Sequence, residues 1–190
     1  VNISTASAVI VAACGMPVVK HGNRAASGKS GSSDVLAELG VAVEAEPARL
    51  RSILDELGIA FLFAPRFHPG FRGVAPIRRR LPFRTVFNLV GPLCNPASPP
   101  FQVVGVPRES HARRMAEVLV RTPSIRRASV VRGADGLDEV TLTGPTEVLV
   151  VEDGTITEQS WTPADFGLPV TQLKGLEADG PAESAALLRR

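Results

Sequence analysis

MPVVKHGNRAASGKSGSSDVLAELG, residues 16–40, sets a short apolar run ahead of a loop of glycines, serines and cations, with an apolar helical pattern behind it. Val18 and Val19 predict a short buried strand that delivers Lys20 to a sheet edge. Ser32, Ser33 or Asp34 is the expected cap of the following helix, which Gly40 should stop. Strand, functional loop and helix in that order form a βα unit. The same rhythm continues with VAVEA as a strand, PARLRSILDELG as a helix with Pro47 in its first turn, and IAFLFA as a buried strand. The expected fold is therefore α/β, a mainly parallel sheet flanked by helices.

Working outward, STASAVIVAACG predicts a helix capped by Ser4 or Thr5 and stopped by Gly15, with Pro17 just beyond. PGFRGVAPIRRRL predicts a helix interrupted by Pro76, and RTVFNLVGPLCNPASPP a strand running into a proline-rich loop. FQVVGV and RASVVRG are expected strands on either side of a helix begun by Pro107. TEVLVVEDGTITEQSW predicts a hairpin turning at Asp153-Gly154, and GPAESAALLRR a helix starting at Pro181. A chain of 190 residues suits one α/β domain over 1–190. Both ends look cut: no strand precedes the first helix, and the last stops in mid-pattern.

Composition narrows the function. With 21 basic and 19 acidic residues the formal charge is only +2, which gives no electrostatic footprint for nucleic acid. The clusters Arg78-Arg79-Arg80, Arg113-Arg114 and Arg126-Arg127 are expected to be solvated faces. Cys14 and Cys94 have neither CxxC spacing nor a histidine pair beside them, so a zinc site or disulfide framework is not expected. The apolar run from Ala8 to Ala13 is far short of the ~20 residues that span a bilayer, and a cytoplasmic protein is expected.

Three groups of residues carry chemistry. The loop with Gly22, Gly28 and Gly31 and serines 27, 30, 32 and 33 offers converging N–H and O–H donors at a helix start, which suits a phosphate-like anion. Lys20, Arg24 and Lys29 would add charge for a ligand with several phosphates; a plain solvated loop is the competing explanation. GADGLDEV places Asp138 and Glu139 after a strand and a glycine turn. Paired carboxylates beside a phosphate site supply the hard oxygens that Mg²⁺ needs, although an acidic pair alone is ordinary surface. Finally, His68 and Arg78 could bracket a flat anionic substrate, with the Arg78 guanidinium matched to a carboxylate and Gly91 allowing close backbone approach. No Ser-His-Asp arrangement, Walker loop or GxGxxG fingerprint is present.

In series, NISTASA, VKHGNRAASGKSGSSDVL, FLFAPRFHPGFR, RTVFNLVGPLCNPA and GLDEV resemble the anthranilate phosphoribosyltransferase family from Asn2 to Arg190. The resemblance implies the truncated large domain of a phosphoribosyltransferase or nucleoside phosphorylase-like fold, of the glycosyltransferase family 3 type. It implies transfer of phosphoribosyl from phosphoribosyl pyrophosphate to the anthranilate amine, in tryptophan biosynthesis, with Mg²⁺. By resemblance, Asn2, Ser4, Thr5, Lys20, Asn23 and Ser32 hold phosphoribosyl pyrophosphate, and Ser4, Asp138 and Glu139 hold the metal. His21, Asn23, His68, Arg78 and Gly91 line the anthranilate site. Catalysis of this kind is electrostatic and positional, with no protein nucleophile.

The sequence also departs from the family pattern. A helical domain, a glycine-rich diphosphate loop before NIST and further C-terminal helices are expected in relatives and are not in these 190 residues, and Cys94 stands where threonine is usual. Little or no turnover is expected from these residues alone. Full-length relatives are expected to be homodimers, sometimes fused to or associated with a glutamine amidotransferase. A pyrimidine nucleoside phosphorylase relative, a non-catalytic nucleic-acid-binding relative and a gene fragment without function of its own are the alternatives.

Overall fold

The computed structural model describes residues 1–25, 30–74, 77, 80 and 85–190. Contacts between residues divide the chain into two compact units, Val1–Ala97 with Leu176–Arg190, and Ser98–Gly175.

The first unit opens with helix α1, Ile3–Ala13. Its cap is Asn2, not Ser4 or Thr5: the Asn2 Oδ1 accepts the Thr5 N–H at 3.0 Å. Asparagine is as good a cap as serine, and the chain turns helical one residue earlier than the hydroxyls suggest. The stop at Gly15 is as expected. Gly15 takes φ 87°, and the N–H groups of Gly15 and Met16 return to the carbonyls of Ala12 and Val11, a Schellman motif.

Strand β1, Val18–Gly22, pairs in parallel with β2, Ile59–Phe63, with Lys20 opposite Phe61 and His21 opposite Leu62. Between them lie α2, Ser32–Glu38, and α3, Pro47–Leu57. Helix α2 is capped by Gly31 rather than by Ser32, Ser33 or Asp34. A Cβ there would sit 2.5 Å from the Ala25 nitrogen and 2.7 Å from the Asn23 carbonyl oxygen, so only glycine fits. Leu50 of α3 packs on Ala60 and Leu62 of β2, with Val19, Ile53, Leu54 and Phe67 around them. This apolar layer packs α3 against the two strands. Helix α4, Ala64–Phe67, follows β2 directly, and α6, Pro181–Leu188, packs on α2.

Two expected strands do not form. Residues 41–46 make a turn, because Val43 is buried and Ala45 packs into the Leu50 cluster without any ladder. A short apolar alternation cannot by itself distinguish burial from strand pairing. Residues 85–97 form 3₁₀ turns at Val86–Asn88 and Gly91–Cys94, where Pro92 has no N–H to give a sheet. The expected helix over 69–81 begins as a 3₁₀ turn at Pro69–Arg72; most of its remainder, including Pro76, lies outside the described residues.

The second unit is a four-stranded sheet in the order β3-β4-β5-β6: Phe101–Gly105, Arg127–Gly133, Thr146–Glu152 and Thr155–Trp161. The β3–β4 pair is parallel and is crossed by helix α5, Glu109–Val120, which starts two residues after Pro107 rather than on it. Ala112, Met115, Ala116 and Leu119 fall at helical spacing and are buried against β4 and β5. The other two pairings are antiparallel, so this sheet is mixed and the expected "mainly parallel" arrangement gives way to an even division among the described strands. The hairpin turn forms as expected: Asp153 and Gly154 take φ 49° and 73°, the sign that a two-residue type I′ turn requires.

Candidate functional site

Strand β1 delivers two neighbouring side chains to two different clusters, both within the first unit. Lys20 Nζ donates to Ser4 Oγ at 2.9 Å, and that hydroxyl donates in turn to the Asn2 Oδ1 at 3.3 Å. Asn2 is fixed from behind, since its N–H donates to the fully buried Ser184 Oγ of α6 at 2.9 Å. An ammonium, a hydroxyl and the start of an eleven-residue helix therefore stand together. Such a group neutralises and hydrogen-bonds an anion. Thr5 is placed differently: it is 1% exposed and its Oγ1 has no partner among the described residues.

His21, the next residue, joins the second cluster. Its Nε2 lies 3.1 Å from Nε2 of His68, the rings meeting edge to face at 80°. Burial pushes the His21 imidazole below its ordinary value, the neighbouring His68 adds to this, and a hydrogen bond to the Gly91 backbone opposes both. His21, His68 and Gly91, distant in sequence, are thus one cluster, extended by the edge-to-face rings of Phe71 and Phe87. A Cβ on Gly91 would meet nothing within 4 Å, so the chain's own packing does not demand glycine there. Asn95 holds this turn against β1: its Nδ2 donates to the Val19 carbonyl at 3.1 Å and its Oδ1 accepts the Ala97 N–H.

Beyond β1, Asn23 is exposed and its Oδ1 accepts the Arg24 N–H at 2.8 Å. Arg24, expected to add charge to the anion site, is instead paired with Glu44 at 3.2 Å and rests 5.9 Å from the Phe63 ring centroid. Asp34 Oδ2 accepts both the Ala25 and Gly31 N–H groups at 2.9 Å, fastening the two ends of the serine and glycine loop. Ser32 is the first helical residue of α2, its Cβ close to Gly22. Arg78, Gly28 and Lys29 lie outside the described residues.

Asp138 and Glu139 belong to the second unit, on the loop between β4 and β5. A Cβ on Gly105 would overlap the Asp138 carbonyl oxygen, so the end of β3 seats this loop through bare backbone. The loop's centre is Asp135, which sequence reading missed. Its Oδ2 accepts from the hydroxyls of Thr141 and Thr143, and its Oδ1 accepts the Leu137 N–H at 3.1 Å. Burial alone would raise the Asp135 carboxyl, but these hydroxyl and amide donors together hold it below the usual range. Asn95 and Asp135 carried one detectable signal, a short polar side chain beside proline or glycine in a loop.

The donor chemistry fits Mg²⁺. Two adjacent carboxylates offer hard oxygens, and no group of three or more His, Cys, Asp or Glu side chains capable of holding a metal occurs among the described residues. An ion bound through one or two carboxylates and completed by phosphate and water needs no larger protein cage.

The whole chain, residues 1–190, matches the family model described as glycosyl transferase family, a/b domain. The chain belongs to that family. It is 50% identical over 188 residues to the anthranilate phosphoribosyltransferase of Rhodospirillum rubrum, covering 99% of this chain and 54% of the relative. With that of Aeromonas hydrophila it shares 47% over 187 residues, 98% of this chain and 54% of the relative. Among solved structures it is similar to the Thermus thermophilus anthranilate phosphoribosyltransferase, with a TM-score of 0.89, 46% identity and coverage of 100% and 55%. It is also similar to the Saccharomyces cerevisiae enzyme in complex with PRPP and Mg, with a TM-score of 0.90, 30% identity and coverage of 99% and 52%. This member of the family thus spans about half the length of the curated relatives it matches. No helix among its described residues is long and apolar enough to cross a membrane. Among the described residues, the arginine clusters include ion-paired members: Arg113 with Glu117 and Glu158, and Arg127 with Glu152.

Proposed function

We propose that the chain forms one α/β domain of an anthranilate phosphoribosyltransferase, acting in the cytoplasm in tryptophan biosynthesis. The reaction joins the anthranilate nitrogen to the anomeric carbon of phosphoribosyl pyrophosphate, breaks that carbon's bond to the diphosphate oxygen, and releases pyrophosphate and the amine proton. The observation that carries this reading is β1 itself. Lys20 stands with Ser4 and Asn2 as the diphosphate side, and His21 stands with His68 and Gly91 as the acceptor side.

In this reading Asn2, Ser4, Thr5, Lys20, Asn23 and Ser32 bind phosphoribosyl pyrophosphate, while His21, Asn23, His68, Arg78 and Gly91 line the anthranilate site. Ser4, Asp138 and Glu139 are the residues that would hold Mg²⁺, which would supply charge neutralisation to the leaving diphosphate. Lys20 and the helix start stabilise the charge that grows on the diphosphate oxygens, and the half-buried imidazole pair excludes water from one side of the acceptor. Partners of the whole enzyme, a second copy and a glutamine amidotransferase, belong to the same proposal.

The test is anthranilate binding, read from its own fluorescence with phosphoribosyl pyrophosphate and Mg²⁺ present. Saturable binding that His21→Ala and His68→Ala weaken at least tenfold, with no binding of pyrimidine nucleosides, is expected. Equal affinity in wild type and both variants would overturn the assignment of the acceptor side.

A further inference from the structure

The loop from Gly133 to Thr146 is wired around one side chain. Asp135 accepts hydrogen bonds from the Thr141 and Thr143 hydroxyls and from the Leu137 N–H. Thr141 Oγ1 also accepts the Thr143 N–H at 3.1 Å, so its single proton is committed to Asp135. The Thr141 N–H donates to Oγ1 of the fully buried Thr146 at 3.0 Å, and the Gly133 N–H reaches the Leu137 carbonyl at 2.9 Å. A Cβ at Gly133 would fall 2.4 Å from the Asp135 Oδ1, so the strand end is bare where the carboxylate sits.

Leu137 and Thr141, two of the groups tied to Asp135, flank Asp138 and Glu139 on either side in the chain. We propose that Asp135 is a positioning residue for the metal carboxylates: it fixes the backbone on both sides of Asp138-Glu139 so that both are presented without rearrangement. The proposal rests on the assignment of Asp138 and Glu139 as Mg²⁺ ligands. Groups that hydrogen-bond a metal's own ligands typically change metal affinity by about 10–100-fold when removed, and Asp135, which holds the backbone beside the carboxylates, is expected at the lower end of that range.

Mn²⁺ alone, titrated into the chain and followed by the loss of its free electron paramagnetic resonance signal, tests this without turnover. Wild type is expected to bind, and Asp138→Ala and Glu139→Ala to lose most binding. Asp135→Ala should weaken binding about tenfold or more. Asp135→Asn, which keeps an acceptor for Leu137, should recover part of the loss, and Thr143→Val, which removes one donor and leaves Asp135 in place, should cost a few-fold. Circular dichroism separates these effects from unfolding, and Thr143→Val carries the test if Asp135→Ala does not fold. Wild-type affinity in folded Asp135→Ala, or in folded Thr143→Val where only that variant folds, would overturn the positioning role while the metal assignment stands. Wild-type affinity in both Asp138→Ala and Glu139→Ala, or no binding by wild type, would overturn the metal assignment and the positioning role together.

Discussion

The Nε2 atoms of His21 and His68 lie 3.1 Å apart, one at the end of β1 and the other in the turn after α4. Two imidazoles so placed share one proton between them, because a second would set two N–H groups against each other. The contact joins residues 47 positions apart and brings the segment after β2 onto the same edge as Lys20 and Asn23.

That pair makes stability depend on pH. Burial and the neighbouring His68 hold His21 below its ordinary value of 6.5, so the unfolded chain takes up this proton first as the pH falls. Stability is therefore full above about pH 6.5 and declines as the pH drops from there towards the lowered folded value. Urea unfolding at pH 7.5 and 5.5 checks this; His21→Gln should flatten the difference.

Asp135 acts at the other end of the scale. Its folded value is held below the usual carboxylate range, so its contribution is present above about pH 4 and is lost as the pH falls through the folded value. Acid unfolding of Asp135→Asn should show a weaker loss below pH 4 than wild type.

Gly105 and Gly91 should behave in opposite ways. Gly105→Ala forces a Cβ onto the Asp138 carbonyl and should cost about 1–3 kcal/mol or more, measured by urea denaturation. Gly91→Ala meets open space and should change stability by less than about 0.5 kcal/mol. If the space belongs to the acceptor, anthranilate fluorescence titration should nevertheless show weaker binding.

The layer beneath the strands is a plain packing test. Leu62 is 6% exposed and touches the Leu50 and Ala60 cluster, so Leu62→Ala should lose about 2–5 kcal/mol in urea denaturation.

The fold was legible where apolar runs ended at turn residues. Gly15, Gly40 and Gly58 take positive φ at helix ends, and Asp153-Gly154 closes the hairpin. It was illegible where burial came without a ladder, as at Val43 and Ala45, or where a proline turned the chain, as at Pro92. The α1 cap was misplaced because Asn2 and Ser4 are both competent caps and only the backbone decides between them. Within the site, the residue types were readable and the partners were not. Lys20 on Ser4 and His21 on His68 depend on strand register and on a turn held by Asn95, neither of which leaves a local pattern. Arg24 shows the same limit in reverse: a cation in the right loop is engaged by Glu44 and Phe63.

The most direct measurement is calorimetric titration of phosphoribosyl pyrophosphate with Mg²⁺ into the wild-type chain and into Lys20→Ala. Saturable binding by wild type, at least tenfold weaker in a folded Lys20→Ala, is the predicted result. No binding, or the same affinity in both, would contradict the assignment of the Lys20, Ser4 and Asn2 cluster as the diphosphate side of a phosphoribosyl transferase.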